Sequence, residues 1–420
     1  MVVRIPLNPS TFGQEEKSAA KAVVDSGELL MGQRCAEFEK AFAAYIGCDH
    51  AVMVNSGSSA NLVAMFALAS SPLREDGNIS RIVPFALASS PLRKNANIPR
   101  IVPGAEVIVP ALSWPTTVWP VVQIGAKPVF VDSDPATLQT TATMIEAAIT
   151  AQTVGIVVVH ASGSATNMDE VTQVARRHRL WLFEDSCEAL GVLWDGKKTG
   201  SFGVMGSFSF ASSQISTIEG GMVVTNENPM ADQLRALRTH ERISHMDSQT
   251  TGGRADGEVG FPLWGTGGFN LRPTEINGIL GLEQLKRLSR FNEKRRKVAC
   301  HFDDALEPLQ TAGRLRLVQH NPRCIPAPLS YAVLCKSRRG RDGLRDHLHT
   351  AGIETRPALG GNMLRHPAFT AVDYRVSGEL HGANRIMDCS LCWGAYPEMT
   401  EDEIDYVVSA VQRYFGSEGA

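Results

Sequence analysis

The feature that most restricts the fold is an alternation. Short apolar runs at 107–109, 128–131, 155–159 and 181–184 are separated by helical stretches at 116–124, 142–150 and 168–178. Strands alternating with helices in this way predict a parallel sheet covered by helices on both faces. Functional groups in such a sheet collect where its strands end. Upstream, 15–26 and 35–45 carry apolar residues at helical spacing, and Gly47 stops the second helix. From about residue 310 the pattern changes to a strand at 330–333 and helices at 342–351 and 402–415, which reads as a second, α+β unit.

At 420 residues the chain exceeds the size at which one core normally stops growing, so two domains are expected. A net charge of -3 argues against nucleic acid or an anionic membrane as the main partner, since both need a basic face. Eight scattered cysteines lack the dense framework of a small secreted domain, and the reducing cytoplasm is the expected compartment. No signal peptide is read at the start, and no apolar run reaches the roughly 20 residues of a membrane span. Cys389 and Cys392 form a CxxC, but no second pair completes a metal site, so both read as small apolar residues and no metal is expected.

A tandem repeat interrupts the pattern. The segment 66–84 recurs as 85–103 with four substitutions. One pair this short is no solenoid. It reads as a duplication lengthening a connection, with one copy near the normal path and the other bulging outward, because long surface insertions cost little closure entropy.

Several motifs stand at strand ends. After 50–54, Ser56-Gly57-Ser58-Ser59 is a small-residue turn opening a helix, and a helix N-terminus presents backbone N–H groups to phosphate. Trp114 lies in the run 112–118, and Asp185 and Glu188 lie in 183–191. His160 opens His160-Ala161-Ser162-Gly163, while Lys197 and Lys198 sit in a hairpin where solvation is expected. In 206–225, two strand-like runs flank a polar loop ending in Glu219-Gly220-Gly221, where paired glycines permit a tight turn or close approach.

This last stretch resembles the DegT/StrS-type sugar aminotransferase family, whose matching segment runs from Ser-Phe through a Lys into Glu-Gly-Gly. In that family the Lys holds pyridoxal phosphate (PLP) as a Schiff base, and a dehydratase branch has His there. Counting back from Gly220 puts Ser213 at that position, and counting forward from Ser209 and Phe210 puts Gln214 there. No lysine occurs between Lys198 and Lys286, so this loop supplies no primary amine for a Schiff base.

The resemblance implies an α/β PLP-transferase fold of type I. Its parts are an N-terminal arm (1–30), a large cofactor domain with a mostly parallel seven-stranded-type sheet (31–290), and a smaller C-terminal α+β domain (291–420). Arg290 to Phe302 reads as the linker between the two. It further implies phosphate binding at Gly57 and Ser58, ring stacking at Trp114, a carboxylate for the pyridinium nitrogen at Asp185, and cofactor contact at Ser209. Asn270 is expected to reach the cofactor of a partner subunit, which makes the protein a homodimer with shared sites. His160 resembles a loop histidine beside the cofactor. Iron–sulfur members of the dehydratase branch bind a cluster through cysteines near 240–260; here 188–299 contains none, so no cluster is expected.

Around Trp114, Glu188 and Glu219 the motifs look nearest to nucleotide-linked 4-keto-6-deoxyhexose 3-dehydratases. The activity this resemblance implies is that of a lyase using pyridoxamine phosphate (PMP) or PLP, bound without a covalent anchor, on a nucleotide sugar. Neither a Ser nor a Gln side chain has a pKa near neutrality, so neither replaces the base directly, and proton transfer passes through a water held by Ser213, or through Glu188, His160 or an unseen group. The alternatives are a catalytically silent sugar-binding homologue or partner subunit, and a sugar aminotransferase.

Overall fold

The computed structural model describes residues 5–69, 101, 104–211, 214–243 and 263–417. The central sheet runs in the order His50–Val54, Gly221–Thr225, Met205–Ser209, Trp181–Asp185, Thr153–Val159, Glu106–Pro110, Lys127–Val131 and Arg375–Val376. Only Gly221–Thr225 runs against the others. Seven strands match the expected sheet, and the eighth is a two-residue edge contributed from the C-terminal part of the chain. The inner strands are buried along their length, as Val157, Ile156, Val107 and Ile108 show, because helices cover both faces.

One of those helices, Gly57–Ala69, is apolar almost all round because it lies between the sheet and two further helices. Its position is set by the Gly-Gly pair read in the sequence. A Cβ on Gly221 would fall 2.2 Å from the carbonyl oxygen of Ser56, and Gly220 has φ +155°. The strand therefore passes directly beneath the turn that starts the helix.

Glu275–Thr311 is a single helix of 37 residues, so the expected linker at 290–302 is helical throughout. Its first half packs on the cluster containing Phe38, Phe42 and Phe210; its second half, through Val298, Phe302 and Leu306, packs on the C-terminal core. That core contains a four-stranded sheet in the order Leu315–Leu317, Ser330–Cys335, Ser390–Gly394 and Thr355–Arg356, covered by Arg338–Thr350 and Glu401–Ser417. Arg295 is wholly buried between the two cores and donates to the carbonyls of Leu329 and Ala395, each at 3.1 Å. Desolvation lowers its pKa to about 10. The expected paths of the two repeat copies fall almost entirely outside the described residues. The hairpin holding Lys197 and Lys198 is present, but Lys198 is partly buried with Nζ over the Tyr45 ring, and that desolvation lowers its pKa.

Glu275 ties the N-terminal region to the long helix. Its carboxylate accepts from the N–H groups of Gly32 (2.8 Å), Arg34 (2.7 Å) and Cys35 (3.0 Å), the otherwise unpaired donors at the start of helix Gln33–Ile46. Burial raises the carboxyl pKa, but these N–H groups outweigh it and hold it below the usual value. Glu275→Ala is expected to cost about 3 kcal/mol in urea unfolding at neutral pH, because three donors lose their acceptor. Since the folded pKa is depressed, this contribution is complete above about pH 4.3. The gap between wild type and variant should close as pH falls through the folded value.

Candidate functional site

Because all but one of the central strands run the same way, their carboxyl ends open at one edge of the sheet. The antiparallel Gly221–Thr225 brings its amino end, with Glu219 and Gly220, to the same place. A cavity of about 250 Å³ lies there, and residues 329, 356 and 359 from the C-terminal part of the chain close its far side.

Asp185 ends its strand on the cavity wall and is 4% exposed. Its Oδ2 accepts from Thr117 Oγ1 at 2.6 Å and Asn61 Nδ2 at 2.9 Å, while Oδ1 accepts from the Cys187 N–H at 3.1 Å. Neutral donors of this kind fix the direction of the carboxylate without pairing it with a cation. Asn61 is itself oriented by Ser207 Oγ, which donates to its Oδ1 at 2.6 Å. Asn61 and Thr117 were not singled out in the sequence. The signal the sequence offered for Asn61 is an amide side chain at the head of the apolar run 62–69.

Gly57 and Ser58 open the helix and line the cavity. A Cβ on Gly57 would stand 2.5 Å from Ser209 Cβ, so only glycine lets these two loops meet. The Ser56 hydroxyl accepts from the Ser59 N–H at 3.0 Å and caps the helix. Ser58 Oγ lies 2.9 Å from Thr116 Oγ1, linking this turn to the loop that carries Trp114. Trp114 is 51% exposed at the mouth. An aromatic face left open beside a fixed carboxylate and a helix N-terminus fits a flat, cationic, phosphorylated ring. Ser209 lines the same wall.

Glu188 also lines the cavity. Its Oε2 accepts from the Ser162 N–H at 3.0 Å, and its Oε1 lies 3.2 Å from Arg356 Nη2. Cys187 beside it is pushed well above the ordinary thiol pKa by burial and by Asp185, so it stays protonated.

Two expected site residues stand elsewhere. His160 is fully buried, with Nε2 3.0 Å from Glu184 Oε2, and does not line the cavity. Glu184 also accepts from the N–H groups of Gly200, Phe202 and Gly203 at 2.6–2.7 Å, so this pair organises the loop behind the sheet. Gln214 is equally buried and commits both amide N–H donors to the carbonyls of Glu188 (2.6 Å) and Ala327 (2.8 Å). It braces the wall from behind. Ser213 lies outside the described residues. Asn270 lies outside this chain's own cavity, in a left-handed conformation (φ 55°), and its Oδ1 accepts from Arg272 Nε at 2.8 Å. No lysine lines the cavity among the described residues.

A profile of the DegT/DnrJ/EryC1/StrS aminotransferase family matches residues 10–77 and 90–412. The chain belongs to this family. The unmatched 78–89 fall inside the tandem repeat, as an insertion within the family fold would. Among family members, the lipopolysaccharide biosynthesis protein RfbH of Salmonella typhimurium is 33% identical over 427 residues, covering 98% of this chain and 92% of that protein. GDP-4-keto-6-deoxy-D-mannose 3-dehydratase of Escherichia coli O55:H7 is 33% identical over 414 residues, covering 97% of this chain and 99% of that one. A solved E. coli GDP-4-keto-6-deoxy-D-mannose 3-dehydratase with bound hydrated PLP superposes with a TM-score of 0.83 at 32% identity, covering 98% of this chain and 100% of that one. The family fold thus has the α/β architecture expected from the sequence.

Gly221→Ala tests how tightly the cavity floor is built. Its Cβ would press on the Ser56 carbonyl and, at 2.7 Å, on the Gly57 nitrogen, both backbone atoms that cannot swing aside. A loss of about 2–3 kcal/mol in chemical denaturation is expected, in the range of core overpacking.

Proposed function

We propose that this protein is a PMP- or PLP-dependent 3-dehydratase acting on a nucleotide-linked 4-keto-6-deoxyhexose, with its cofactor held without a covalent bond. The observation that carries the reading is Asp185, a buried carboxylate fixed by three neutral donors on the wall of a cavity that no described lysine lines. When bound, the amine form of the cofactor supplies a nucleophilic nitrogen and a cationic ring that accepts an electron pair. Asp185 keeps a proton on the ring nitrogen. Gly57 and Ser58 hold the phosphate at the helix N-terminus, assisted by Ser209, and Trp114 covers the ring face. Similarity to the E. coli dehydratase supports the substrate class and the reaction.

The protein works as a homodimer in the cytoplasm, and Asn270 reaches across to the partner's cofactor. Its exposed position outside its own chain's cavity supports that assignment. The arm (1–30), cofactor domain (31–290) and C-terminal domain (291–420) are the functional division, with the site at the junction of the last two.

Denaturing protein loaded with PMP should release the cofactor intact, borohydride should leave no protein adduct, and loaded protein should release water from GDP- or CDP-4-keto-6-deoxyhexoses. A reduced adduct on any lysine would instead indicate an aminotransferase, and tight sugar binding without turnover would indicate a silent homologue. Asp185→Asn should cut turnover at least about 100-fold while the fold is kept, the scale of losing one pre-aimed charge. Mixing Asp185→Asn with Asn270→Ala subunits should restore activity to about a quarter of the sites, since half the dimers are mixed and each has one intact site. No recovery in verified mixed dimers would refute shared sites.

A further inference from the structure

If the loop supplies no lysine, some other group must carry the proton that dehydration moves, and the cavity offers few. Among the described residues, its titratable lining comprises Asp185, Cys187, Glu188, Glu219 and Arg356. Asp185 has both oxygens committed to fixed donors and serves the ring. Cys187 is held protonated by burial, the Arg356 guanidinium is a donor with no acceptor site, and Glu219 is exposed. Glu188 remains.

Its surroundings are built around it. The Ser162 N–H reaches Oε2 because Ser162 adopts φ 53° and ψ 33°, a left-handed conformation that a residue with a side chain seldom takes. Backbone strain of this kind persists where the surroundings enforce it, commonly at functional sites. Here the enforcement is visible. Gly163 is so close to the next segment that a Cβ would fall 2.2 Å from the Ala327 carbonyl oxygen, and the Ala327 N–H donates to Gly163 O at 2.8 Å. Gln214 bonds both Ala327 O and Glu188 O. Arg356 approaches from the edge strand of the C-terminal sheet, and its 3.2 Å contact is longer than a firm charge-assisted bond, so Oε1 can be released. Cys392 lies nearby on the neighbouring strand, with its thiol pushed up to about 12 by burial. Behind the wall, His160 and Glu184 face each other.

We propose that Glu188 is the proton-transfer carboxylate of this cavity, with the Ser162 N–H, Gln214 and Arg356 as its positioning groups. The inference rests on the dehydratase reading and names the base it leaves open. Glu188 takes the proton released from the aminomethyl carbon of the bound cofactor and returns it to the sugar's 3-hydroxyl oxygen, which leaves as water. One C–H and one C–O bond break and one O–H bond forms, so the carboxylate ends as it began. The electron pair that expels the hydroxyl comes from the cofactor, so the amine form is the two-electron donor and is left at the aldehyde level while the sugar is reduced.

The test compares wild type with Glu188→Gln, both loaded with PMP. The variant should bind PMP with an unchanged Kd by calorimetry. It should lose at least about 100-fold in water release and in deuterium uptake from D2O at the amine-bearing carbon, the range of general acid–base catalysis. Glu188→Asp should recover part of both. An infrared difference signal for a carboxyl group, measured without sugar, should appear in wild type and be missing in Glu188→Gln. Turnover within about threefold of wild type in a folded Glu188→Gln overturns the assignment while the dehydratase reading stands. Wild type that neither releases water nor exchanges deuterium with any keto-sugar overturns the dehydratase reading itself. Should Glu188→Gln fail to fold, Arg356→Met carries the test, and water release and deuterium uptake both within about threefold of wild type refute the proposal.

Discussion

The strand Trp181–Asp185 ends in two adjacent carboxylates that face opposite ways, and the site depends on that opposition. Neighbouring residues on a strand project to opposite sides. Glu184 therefore turns away from the cavity, where three backbone N–H groups and His160 receive it, and Asp185 turns into the cavity towards Asn61 and Thr117. Each carboxyl group is buried with at least three donors, which is what makes burying two of them side by side tolerable. Glu184 fixes the loop 200–203 that leads into Met205–Ser209, the next strand of the sheet. The same residue thus fixes the approach to the strand that carries Ser209 to the cavity and Ser207 to Asn61.

Much of this was legible in the sequence, for a definite reason. Buried parallel strands are short apolar runs, and the residues that follow them stand at the open edge; strand-end position together with the resemblance to the family motif picks out Gly57, Trp114, Asp185, Glu188 and Ser209, all of which line the cavity. The resemblance to the family's loops also puts His160 and Gln214 at the site, yet their side chains point behind the wall. Sequence position gives the loop; direction within it is settled by packing. In His160-Ala161-Ser162-Gly163 the useful group is a backbone N–H, which no residue type announces.

The missed fold features have equally physical causes. Arg375–Val376 pairs through only two residues, too few for any periodicity to show. The helix Glu275–Thr311 reads in sequence as helix then linker because it covers two cores in succession, and its buried side changes identity along its length. A stripe that serves two partners does not look like one amphipathic helix.

The missing lysine changes what the cavity must do. On the proposed reading the cofactor is held by a helix N-terminus, one carboxylate and one aromatic face, and such a site retains it by mass action alone, whereas a covalent anchor retains it whatever its concentration. Each of these contacts is present as a rigid part of the fold: Gly57 is pressed against Ser209, Asp185 is triply bonded, and Ser58 is tied to Thr116. Preorganisation is how such a site compensates, because groups already fixed lose little entropy when the ligand arrives. The same rigidity suits a cofactor that arrives as the amine and leaves changed, since release needs no bond to be broken. On the proposed reading, the loop's neutral Gln214 is then consistent with the rest: it has no chemistry of its own, and it holds in place the carboxylate that does.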